Sequence, residues 1–231
     1  MRARRFDLLI FDWDGTLADS AAQIVAGMQN AIVRLKLPVR SDAQIRELIG
    51  LGFSDAMGRL FPEFAPEDVN KVLEEYRRWI VAGGAPGHGP AEAPLFEGAL
   101  AALRELHAAG YRLAVATGKS RSSLRRSLVR HPEVQELLSS SRCADETAPK
   151  PDPLMLRELL EEESVAVGRA LMVGDTEYDV AMARACAMPA LGVSCGVHEC
   201  ERLVQAGATA LIEQVRHLPG WLDAYGSDRP A

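Results

Sequence analysis

The order of hydrophobic patterns along the chain limits the fold more than any other feature of this sequence. The first pattern is a short apolar run, Phe6-Asp7-Leu8-Leu9-Ile10-Phe11-Asp12, which predicts a buried strand. An all-helical stretch of about 65 to 75 residues follows, and only after it do strands and helices alternate. Alternation indicates a parallel sheet with helices on both faces, whereas the helical stretch is too long to be a connection. The chain is therefore predicted to be an α/β protein with a helical domain inserted after its first strand.

The limits of the inserted domain follow from helical periodicity and from one segment rich in Gly and Pro. Three helices are predicted: residues 24–35, a helix capped by Ser41 or Asp42 that contains Ile45, Leu48 and Ile49, and residues 67–81. Residues 83–94 contain the densest group of Gly and Pro and are interpreted as a hinge. We therefore predict a small α-helical cap at residues 18–93 and a core formed by residues 1–17 and 94–231.

The second part of the chain supplies the remaining strands of the predicted core. Strands are expected at residues 111–117, 169–174, about 190–193 and about 208–212, with helices between them. Short apolar strands that alternate with helices are typical of a doubly wound sheet. The core is therefore predicted to be a Rossmann-like, three-layer parallel sheet.

Charge and composition exclude several classes of function. The chain has 26 Lys and Arg against 32 Asp and Glu, a net charge of −6, so binding to nucleic acid through bulk positive charge is not expected. The apolar runs are too short to span a bilayer, and Asp7, Asp12 and Asp14 interrupt the region where a signal peptide would be hydrophobic. The four cysteines form no C-x-x-C pair. We expect a cytoplasmic protein without a membrane or nucleic-acid partner.

Acidic residues follow two of the predicted strands. Asp12 and Asp14 come after the first strand, and Asp175 and Asp179 come after the strand that ends at Gly174. In an open parallel sheet the carboxyl ends of the strands lie at one edge, where ligands bind. Clustered carboxylates repel one another unless a cation joins them, and Mg²⁺ is a hard cation that prefers oxygen ligands. The sequence therefore predicts a magnesium site at this edge.

Two further residues extend the predicted site toward phosphate chemistry. Thr117 ends another strand, and Lys150 lies between two prolines. In that setting Asp12 can act as a nucleophile on phosphorus, Asp14 can move protons, and Thr117 and Lys150 can hold phosphoryl oxygens. Taken singly, each residue also has a structural interpretation, because an Asp-x-Asp pair or a strand-end Thr often caps a turn and such a Lys is often on the surface. Their occurrence together, in order at strand ends, favours a functional site.

Four segments resemble the sequence motifs of the haloacid dehalogenase superfamily, in the order found in that family. They are Asp12-Trp13-Asp14-Gly15-Thr16-Leu17-Ala18-Asp19-Ser20, Thr117-Gly118, Lys150-Pro151-Asp152-Pro153 and Gly174-Asp175-Thr176-Glu177-Tyr178-Asp179. The helical insertion resembles the small cap of this superfamily. Within it, the chain is most similar to the phosphoglycolate phosphatase-like branch, on the segments Arg46-Glu47-Leu48-Ile49-Gly50-Leu51-Gly52 and Ala148-Pro149-Lys150-Pro151-Asp152-Pro153.

The resemblance implies a role for each matching residue. Asp12 is expected to be the nucleophile and a Mg²⁺ ligand, Asp14 the general acid and base and a ligand through its main-chain carbonyl, and Asp175 the third protein ligand. Asp179 is expected to orient a metal-bound water or Lys150. Phosphate binding is expected from Thr117, the Gly118 amide and Lys150. The cap residues Arg46, Gly50, Leu51 and Phe53 are candidates for substrate selection.

The resemblance implies a phosphatase that acts on a small phosphorylated metabolite such as 2-phosphoglycolate, as a monomer or homodimer. Asp14 argues against dehalogenation, which needs no proton donor for its halide leaving group. Phosphonate hydrolysis in this family needs a cap lysine that forms a Schiff base. Neither Lys36 nor Lys71, the two lysines of the cap, lies in a matching sequence context, which argues against that activity. A β-phosphoglucomutase-like transferase and a pyrophosphatase remain alternatives on the same core. A receiver-like signalling module is a more distant alternative, because receivers place the acceptor Asp on a later strand and have no helical insertion of this size.

Overall fold

A computed structural model describes residues 4–82 and 93–227 of the chain. Its strands are β1 (Leu8–Phe11), β2 (Arg112–Thr117), β3 (Leu138–Cys143), β4 (Ala170–Gly174), β5 (Ala190–Val193) and β6 (Ala210–Ile212). They form one six-stranded sheet in the order β3-β2-β1-β4-β5-β6, in which all neighbouring strands are parallel. β1 is central, and the strand order reverses on either side of it, which is the position where doubly wound sheets bind ligands.

The helices fall into two groups. The first group lies between β1 and β2 and comprises α1 (Ala21–Leu35), α2 (Asp42–Arg46), α3 (Phe53–Leu60) and α4 (Pro66–Val81). The second group accompanies the sheet and comprises α5 (Ala99–Ala108), α6 (Arg121–Arg130), α7 (Pro132–Leu137), α8 (Leu154–Glu162), α9 (Glu177–Ala185), α10 (Cys200–Ala206) and α11 (Leu218–Ser227). Within the described part of the chain, no helix has the length and hydropathy needed to cross a membrane.

Alternate residues of the central strand face two different hydrophobic layers. Leu9 and Phe11 of β1 pack into a cluster that includes residues of α5, α6, α7 and α11, whereas Leu8 and Ile10 pack into a cluster with residues of α8, α9 and α10. Successive side chains of a strand point to opposite faces, so a strand buried on both faces has no polar alternation. This packing confirms the predicted three-layer α/β core.

The helices α1 to α4 have an apolar cluster of their own. Its buried members include Met28 and Ile32 of α1, Ile45 of α2, Met57 of α3 and Val72 of α4. Local signals place these helices: the Ser41 and Gln44 side chains form a capping box at the start of α2, and Pro66 occupies the first turn of α4. The helical cap is therefore packed around a separate core, although its limits at residues 18 and 93 stay a prediction.

Two short segments connect this cap to the sheet, and they lie side by side. The Asp19 amide donates to the Pro94 carbonyl and the Phe96 amide donates to the Leu17 carbonyl, each at 2.9 Å. Of the predicted hinge at 83–94, residues 83–92 lie outside the described residues. The two connections are thus hydrogen-bonded to each other where the cap meets the core.

The observed secondary structure differs from the predicted one. No strand was predicted at β3, which contains Ser139, Ser140 and Ser141 where the predicted strands have apolar runs. In the structure the hydroxyls of Ser139 and Ser140 donate to the Glu163 carboxylate at 2.6 and 2.5 Å, so this polar strand has its side-chain partners inside the fold. The helix expected to include Leu48 and Ile49 ends at Arg46, and the chain continues in tighter turns.

Candidate active site

The carboxyl ends of β1, β2 and β4 bring the predicted site residues to one edge of the sheet. Asp12 directly follows β1, Thr117 is the last residue of β2, and Asp175 directly follows β4. β1 pairs in parallel with both β2 and β4, and the three strands run in register, Phe11 opposite Val115 and Val173. The meeting of these residues therefore follows from the topology of the sheet.

Lys150 joins two of the buried carboxylates. Its Nζ lies 2.7 Å from Asp12 Oδ1 and 2.6 Å from Asp179 Oδ1, and all three side chains are at most 1% exposed. Burial by itself would lower the pKa of Lys150, but the charges of Asp12 and Asp179 outweigh it and raise this pKa above its usual value. Lys150 is thus held as a cation between the two acids.

Asp179 is fixed at the start of a helix. Its Oδ2 accepts hydrogen bonds from the Thr176 amide at 3.1 Å and from the Thr176 hydroxyl at 2.7 Å, which forms a capping box at the N-terminus of α9. The other carboxylate oxygen of Asp179 is left for Lys150. The helix start therefore orients Asp179, and Asp179 in turn orients Lys150.

Asp175 lies in a narrow space between two glycines. Its carboxylate accepts hydrogen bonds from the Thr16 hydroxyl at 2.7 Å and from the Val197 amide at 2.9 Å. A Cβ atom at Gly15 or at Gly196 would lie 2.2 Å from Asp175 Oδ2, so neither position accepts a side chain without movement. Burial, and then repulsion from Asp179, raises the pKa of Asp175 to about 7.

The charges of this cluster fit a divalent cation. Asp12, Asp175 and Asp179 each place a carboxylate oxygen within 4.8 Å of the others, and all three are buried. Burial, only partly offset by Lys150, raises the pKa of Asp12 well above its usual range, and Asp12 Oδ2 has no hydrogen-bond partner among the described residues. Three carboxylates against one ammonium leave a buried negative charge, which oxygen-preferring cations such as Mg²⁺ neutralise.

Asp14 points away from this cluster. Its Oδ1 lies 2.9 Å from Lys119 Nζ, and the two side chains are only 11% and 15% exposed. Both residues line the cavity above Asp12. The two aspartates of the Asp-x-Asp pair thus have different surroundings. Asp12 belongs to the buried acidic cluster, and Asp14 lies beside the Lys119 ammonium at the cavity wall.

The cap turn formed by Gly50, Leu51 and Gly52 packs directly on the loops that carry the predicted motifs. A Cβ atom at Gly118 would lie 2.5 Å from the Gly50 carbonyl oxygen and 2.6 Å from that of Leu51. A Cβ atom at Gly50 or Gly52 would lie 3.0 Å from Thr176 or Pro149, respectively, and Gly50 has a φ of 101°. Glycine is therefore needed for the cap to approach the core this closely.

A second contact between cap and core is centred on Glu47. Its carbonyl oxygen accepts hydrogen bonds at 3.1 Å from the Tyr178 hydroxyl and from His198 Nε2. The Glu177 amide donates to His198 Nδ1 at 3.1 Å, so the ring hydrogen is on Nε2. The carboxylate of Glu47 lies 2.6 Å from Arg202, which also pairs with Glu177 at 2.8 Å. We call these five residues the Glu47 contact.

A cavity of about 300 Å³ lies between the cap and the core. Asp12, Asp14, Gly118 and Lys119 form its core side, and Gly50, Leu51 and Phe53 are among the cap residues that line it. Arg46, the fourth candidate for substrate selection, is exposed at the end of α2 and is not one of the lining residues. The cavity opens onto the predicted nucleophile and proton donor.

Sequence reasoning did not assign several residues that the structure brings to this site. Lys119 had a usable signal, because it directly follows Thr117 and Gly118 at a strand end. Thr16 lies inside the first motif but was given no role, although its hydroxyl binds Asp175. The members of the Glu47 contact had no signal, since Glu47 and Arg202 are 155 residues apart in the sequence.

The chain is similar to known proteins over most of its length. A family model described as haloacid dehalogenase-like hydrolase matches residues 9–193. A protein of Dickeya dadantii named probable phosphatase IndB is 31% identical, with 92% of each chain covered. A phosphoglycolate phosphatase of Rhodospirillum rubrum is 30% identical, with 93% of this chain and 90% of that protein covered. The crystal structure of a hydrolase from Pseudomonas syringae shares the fold, with a TM-score of 0.81, 23% identity, and 96% and 99% of the two chains covered.

Proposed function

This chain belongs to the haloacid dehalogenase-like hydrolases, and we propose that it is a magnesium-dependent phosphatase that hydrolyses a small phosphomonoester through an aspartyl-phosphate intermediate. One observation carries the proposal. Asp12 is held by Lys150 within a buried acidic cluster, while it also lines a cavity that Asp14 faces. A nucleophile, a site for a cation and a proton carrier therefore adjoin the same cavity.

The cation is assigned to specific ligands. Asp12 and Asp175 would hold Mg²⁺ with their carboxylates and Asp14 with its main-chain carbonyl, while Asp179 keeps Lys150 in place. When bound, Mg²⁺ neutralises negative charge on the acidic cluster and on the phosphoryl oxygens. The excess of buried carboxylates over ammonium groups supports this assignment.

In the first step Asp12 attacks phosphorus. A bond forms between an Asp12 carboxylate oxygen and phosphorus, and the bond between phosphorus and the ester oxygen breaks. Asp14 gives its proton to that ester oxygen, which leaves as the alcohol. The Thr117 hydroxyl, the Gly118 amide and the Lys150 ammonium would bind the phosphoryl oxygens, over which the transition-state charge is spread.

In the second step water takes the place of the alcohol. Asp14, now a carboxylate, accepts a proton from a water molecule as the water oxygen bonds to phosphorus. The bond from phosphorus to Asp12 breaks, inorganic phosphate leaves, and the free Asp12 carboxylate and the protonated Asp14 are restored. The cap, seated on the loops of Gly118, Pro149 and Thr176, would exclude other water from this reaction.

The relatives indicate the first substrate to test, and the cysteines indicate the cellular compartment. Several curated relatives are named phosphoglycolate phosphatase, so 2-phosphoglycolate is the first candidate. The four cysteines are free, which supports action in the reducing environment of the cytoplasm. The substrate is a small phosphorylated metabolite, and the choice between monomer and homodimer stays a prediction.

Phosphate release by the purified protein tests this function. The panel contains 2-phosphoglycolate, pyrophosphate, hexose phosphates, nucleoside monophosphates and p-nitrophenyl phosphate, each with Mg²⁺ and with a chelator. We expect release from at least one monoester that requires Mg²⁺ and is absent in Asp12→Asn. Isomerisation of a hexose phosphate without net phosphate release would replace hydrolysis by phosphoryl transfer to a sugar. A folded protein that binds Mg²⁺ but releases phosphate from no compound would overturn the proposal.

A further inference from the structure

The two sides of the cavity differ in chemistry. The core side presents mostly polar side chains, whereas the cap side presents aliphatic side chains from all four of its helices. The polar side chains of the core side are those of Asp12, Asp14, Lys119, Ser120, Ser123, Arg126 and Asp145. These cap side chains include Ile24 and Met28 of α1, Ile45 of α2, Met57 and Leu60 of α3, and Leu73 of α4. Four of them, Met28, Ile45, Met57 and Leu60, are also buried members of the apolar cluster of the cap. The cavity therefore extends from the charged edge of the sheet into the hydrophobic core of the cap.

The polar cap residues that line the cavity do not change this character. Ser54, Asp55 and Arg77 are exposed to solvent. Tyr76 is half-buried, and its ring contacts that of Phe53 with a centroid separation of 6.0 Å. A sugar phosphate would bury several hydroxyl groups here, and each buried hydroxyl without a partner is costly. The apolar wall thus disfavours a polyhydroxylated leaving group.

The cations of the lining are also poorly placed for a short carboxylated leaving group. Lys119 is paired with Asp14 at 2.9 Å. The Arg126 guanidinium donates to the Ser122 carbonyl and the Ser123 hydroxyl at 3.4 and 3.2 Å, and Arg77 is exposed. A buried carboxylate needs a fixed, unshared cation to offset its desolvation. Of the three cations among the described lining residues, Lys119 and Arg126 each have a partner, and Arg77 is exposed.

The volume points in the same direction. At about 300 Å³ the cavity is within the range of small-molecule sites, which is roughly 300–1,000 Å³. The two carbons of glycolate would leave much of the apolar wall without contacts. In small-molecule sites, much of the affinity comes from apolar ligand groups that are buried against an apolar wall.

From these observations we infer that the natural substrate is a phosphomonoester whose alcohol carries an apolar body, aliphatic or aromatic, of about four to eight carbons. The inference rests on the proposed function, because it assumes that the phosphoryl group lies at Asp12. The apolar body extends from Asp14 between α1, α3 and α4. The cap then selects substrates by burial of apolar surface rather than by charge.

Binding of phosphonates tests the inference without any hydrolysis, because their carbon–phosphorus bond is not an ester. Calorimetry in Mg²⁺ buffer compares methyl-, propyl-, butyl-, hexyl- and benzylphosphonate with phosphonoacetate, a short phosphonate that carries a carboxylate. We expect the Kd to fall about fourfold per added methylene until the cavity is full, and phosphonoacetate to bind no better than methylphosphonate. An affinity independent of chain length, the tightest binding by phosphonoacetate, or no binding by any phosphonate would overturn the inference.

A matched pair of variants locates the effect in the cavity. Ala56 lines the cavity, so Ala56→Phe fills part of it, whereas Ala43→Phe adds the same ring on the exposed face of α2. We expect Ala56→Phe to weaken hexylphosphonate at least ~10-fold, a loss on the scale of a few methylene contacts, while methylphosphonate changes less than about twofold. Equal losses for both ligands, or equal effects of both variants, would contradict the assignment.

Hydrolysis of the matching alkyl phosphates separates this inference from the proposed function. If all esters are cleaved in an Asp12-dependent reaction without preference for chain length, the phosphatase stands and the apolar site is refuted. If the phosphonates bind in the expected order but no ester is cleaved, the apolar site stands and the phosphatase is refuted.

Discussion

The core edge and the cap contribute opposite kinds of side chain to one cavity. At the core edge, Asp12, Lys150 and Asp179 are buried charges, each placed by an ion pair or a helix cap. Across the cavity, Met28 and Met57 contribute flexible apolar surface without directional bonds. Under the two proposals, the directional groups serve chemistry, whereas the apolar surface serves recognition. Changes at the core edge should therefore affect kcat for every substrate, and changes in the cap should affect KM and selectivity.

The two regions should also differ in how much change they tolerate. A buried ion pair that loses one partner leaves an uncompensated charge, which costs about 3–5 kcal/mol. A hydrophobic position accepts another side chain of similar volume at a cost that is usually below about 1.5 kcal/mol. The core edge should thus tolerate fewer substitutions than the cap.

The largest effect is expected at Asp12. Asp12→Asn keeps the shape of the side chain but removes the carboxylate that we propose as the nucleophile, so kcat should fall by on the order of 10⁴-fold or more for all esters. Phosphate release under single-turnover conditions measures it, and the exposed Asp223→Asn serves as the control for an Asp removed elsewhere. Activity within tenfold of the unmodified enzyme would eliminate Asp12 as the nucleophile.

Asp14 should show an effect that depends on the leaving group. Asp14→Asn cannot protonate the ester oxygen, so hydrolysis of an alkyl phosphate should fall at least ~10²-fold. p-Nitrophenolate leaves without protonation. The loss of rate for p-nitrophenyl phosphate should therefore be clearly smaller, provided that the second step does not limit the rate. The ratio of the two losses is the measurement. Equal losses, with formation of the intermediate shown to limit the rate, would assign the proton to another group.

The sequence predicts the parts of this site in which residue type and strand end coincide. Asp12, Thr117 and Asp175 each lie at or just after the end of a strand, and a parallel sheet must bring those ends together. Lys150 lies in a loop, and topology alone does not direct its ammonium to Asp12 and Asp179. Its place in the site was expected from its position between two prolines and from the resemblance to a known family, and its catalytic role stays a prediction.

Other parts of the molecule depend on packing that a single sequence does not specify. Met28 and Ile45 have the periodicity of ordinary core residues, and only the arrangement of four helices leaves a cavity beside them. Glu47 and Arg202 meet across 155 residues without any pattern that links them. β3 was not predicted because its serines do not form an apolar run, and Glu163, which accepts hydrogen bonds from two of them, directly follows α8.

Removal of metal should destabilise the core edge in a pH-dependent way. Asp175 has a pKa of about 7 in the folded protein, against ~3.9 in an unfolded chain. The folded state therefore binds this proton more tightly, and without metal its stability should fall as the pH rises from about 4 to 7. Because Mg²⁺ binds ionised carboxylates, it should raise Tm by about 5 °C or more at pH 8 when its concentration is about 100 times its Kd, and much less at pH 5.

The variant Asp175→Asn provides the control for this pH dependence. It removes one ionisable group from the buried cluster, so the metal-free variant should have a higher Tm than the metal-free parent at pH 8. Mg²⁺ should then add little stability. An equal rise of Tm with Mg²⁺ at pH 5 and pH 8, or an undiminished rise in the variant, would contradict the proposed metal ligands.

The smallest expected effect concerns the Glu47 contact, which joins the two regions. Arg202→Met removes an exposed ion pair between cap and core, so stability should fall by no more than about 1 kcal/mol. If the cap must close on the substrate, the lost free energy makes the closed state less favourable. The apparent KM then rises by the corresponding factor, about two- to fivefold, and kcat stays nearly unchanged. Arg216→Met, which removes the ion pair with Glu97 within the core, should leave KM unaltered. A large loss of kcat in Arg202→Met would instead place this contact within the chemistry of the core edge, and the division between the two regions would fail.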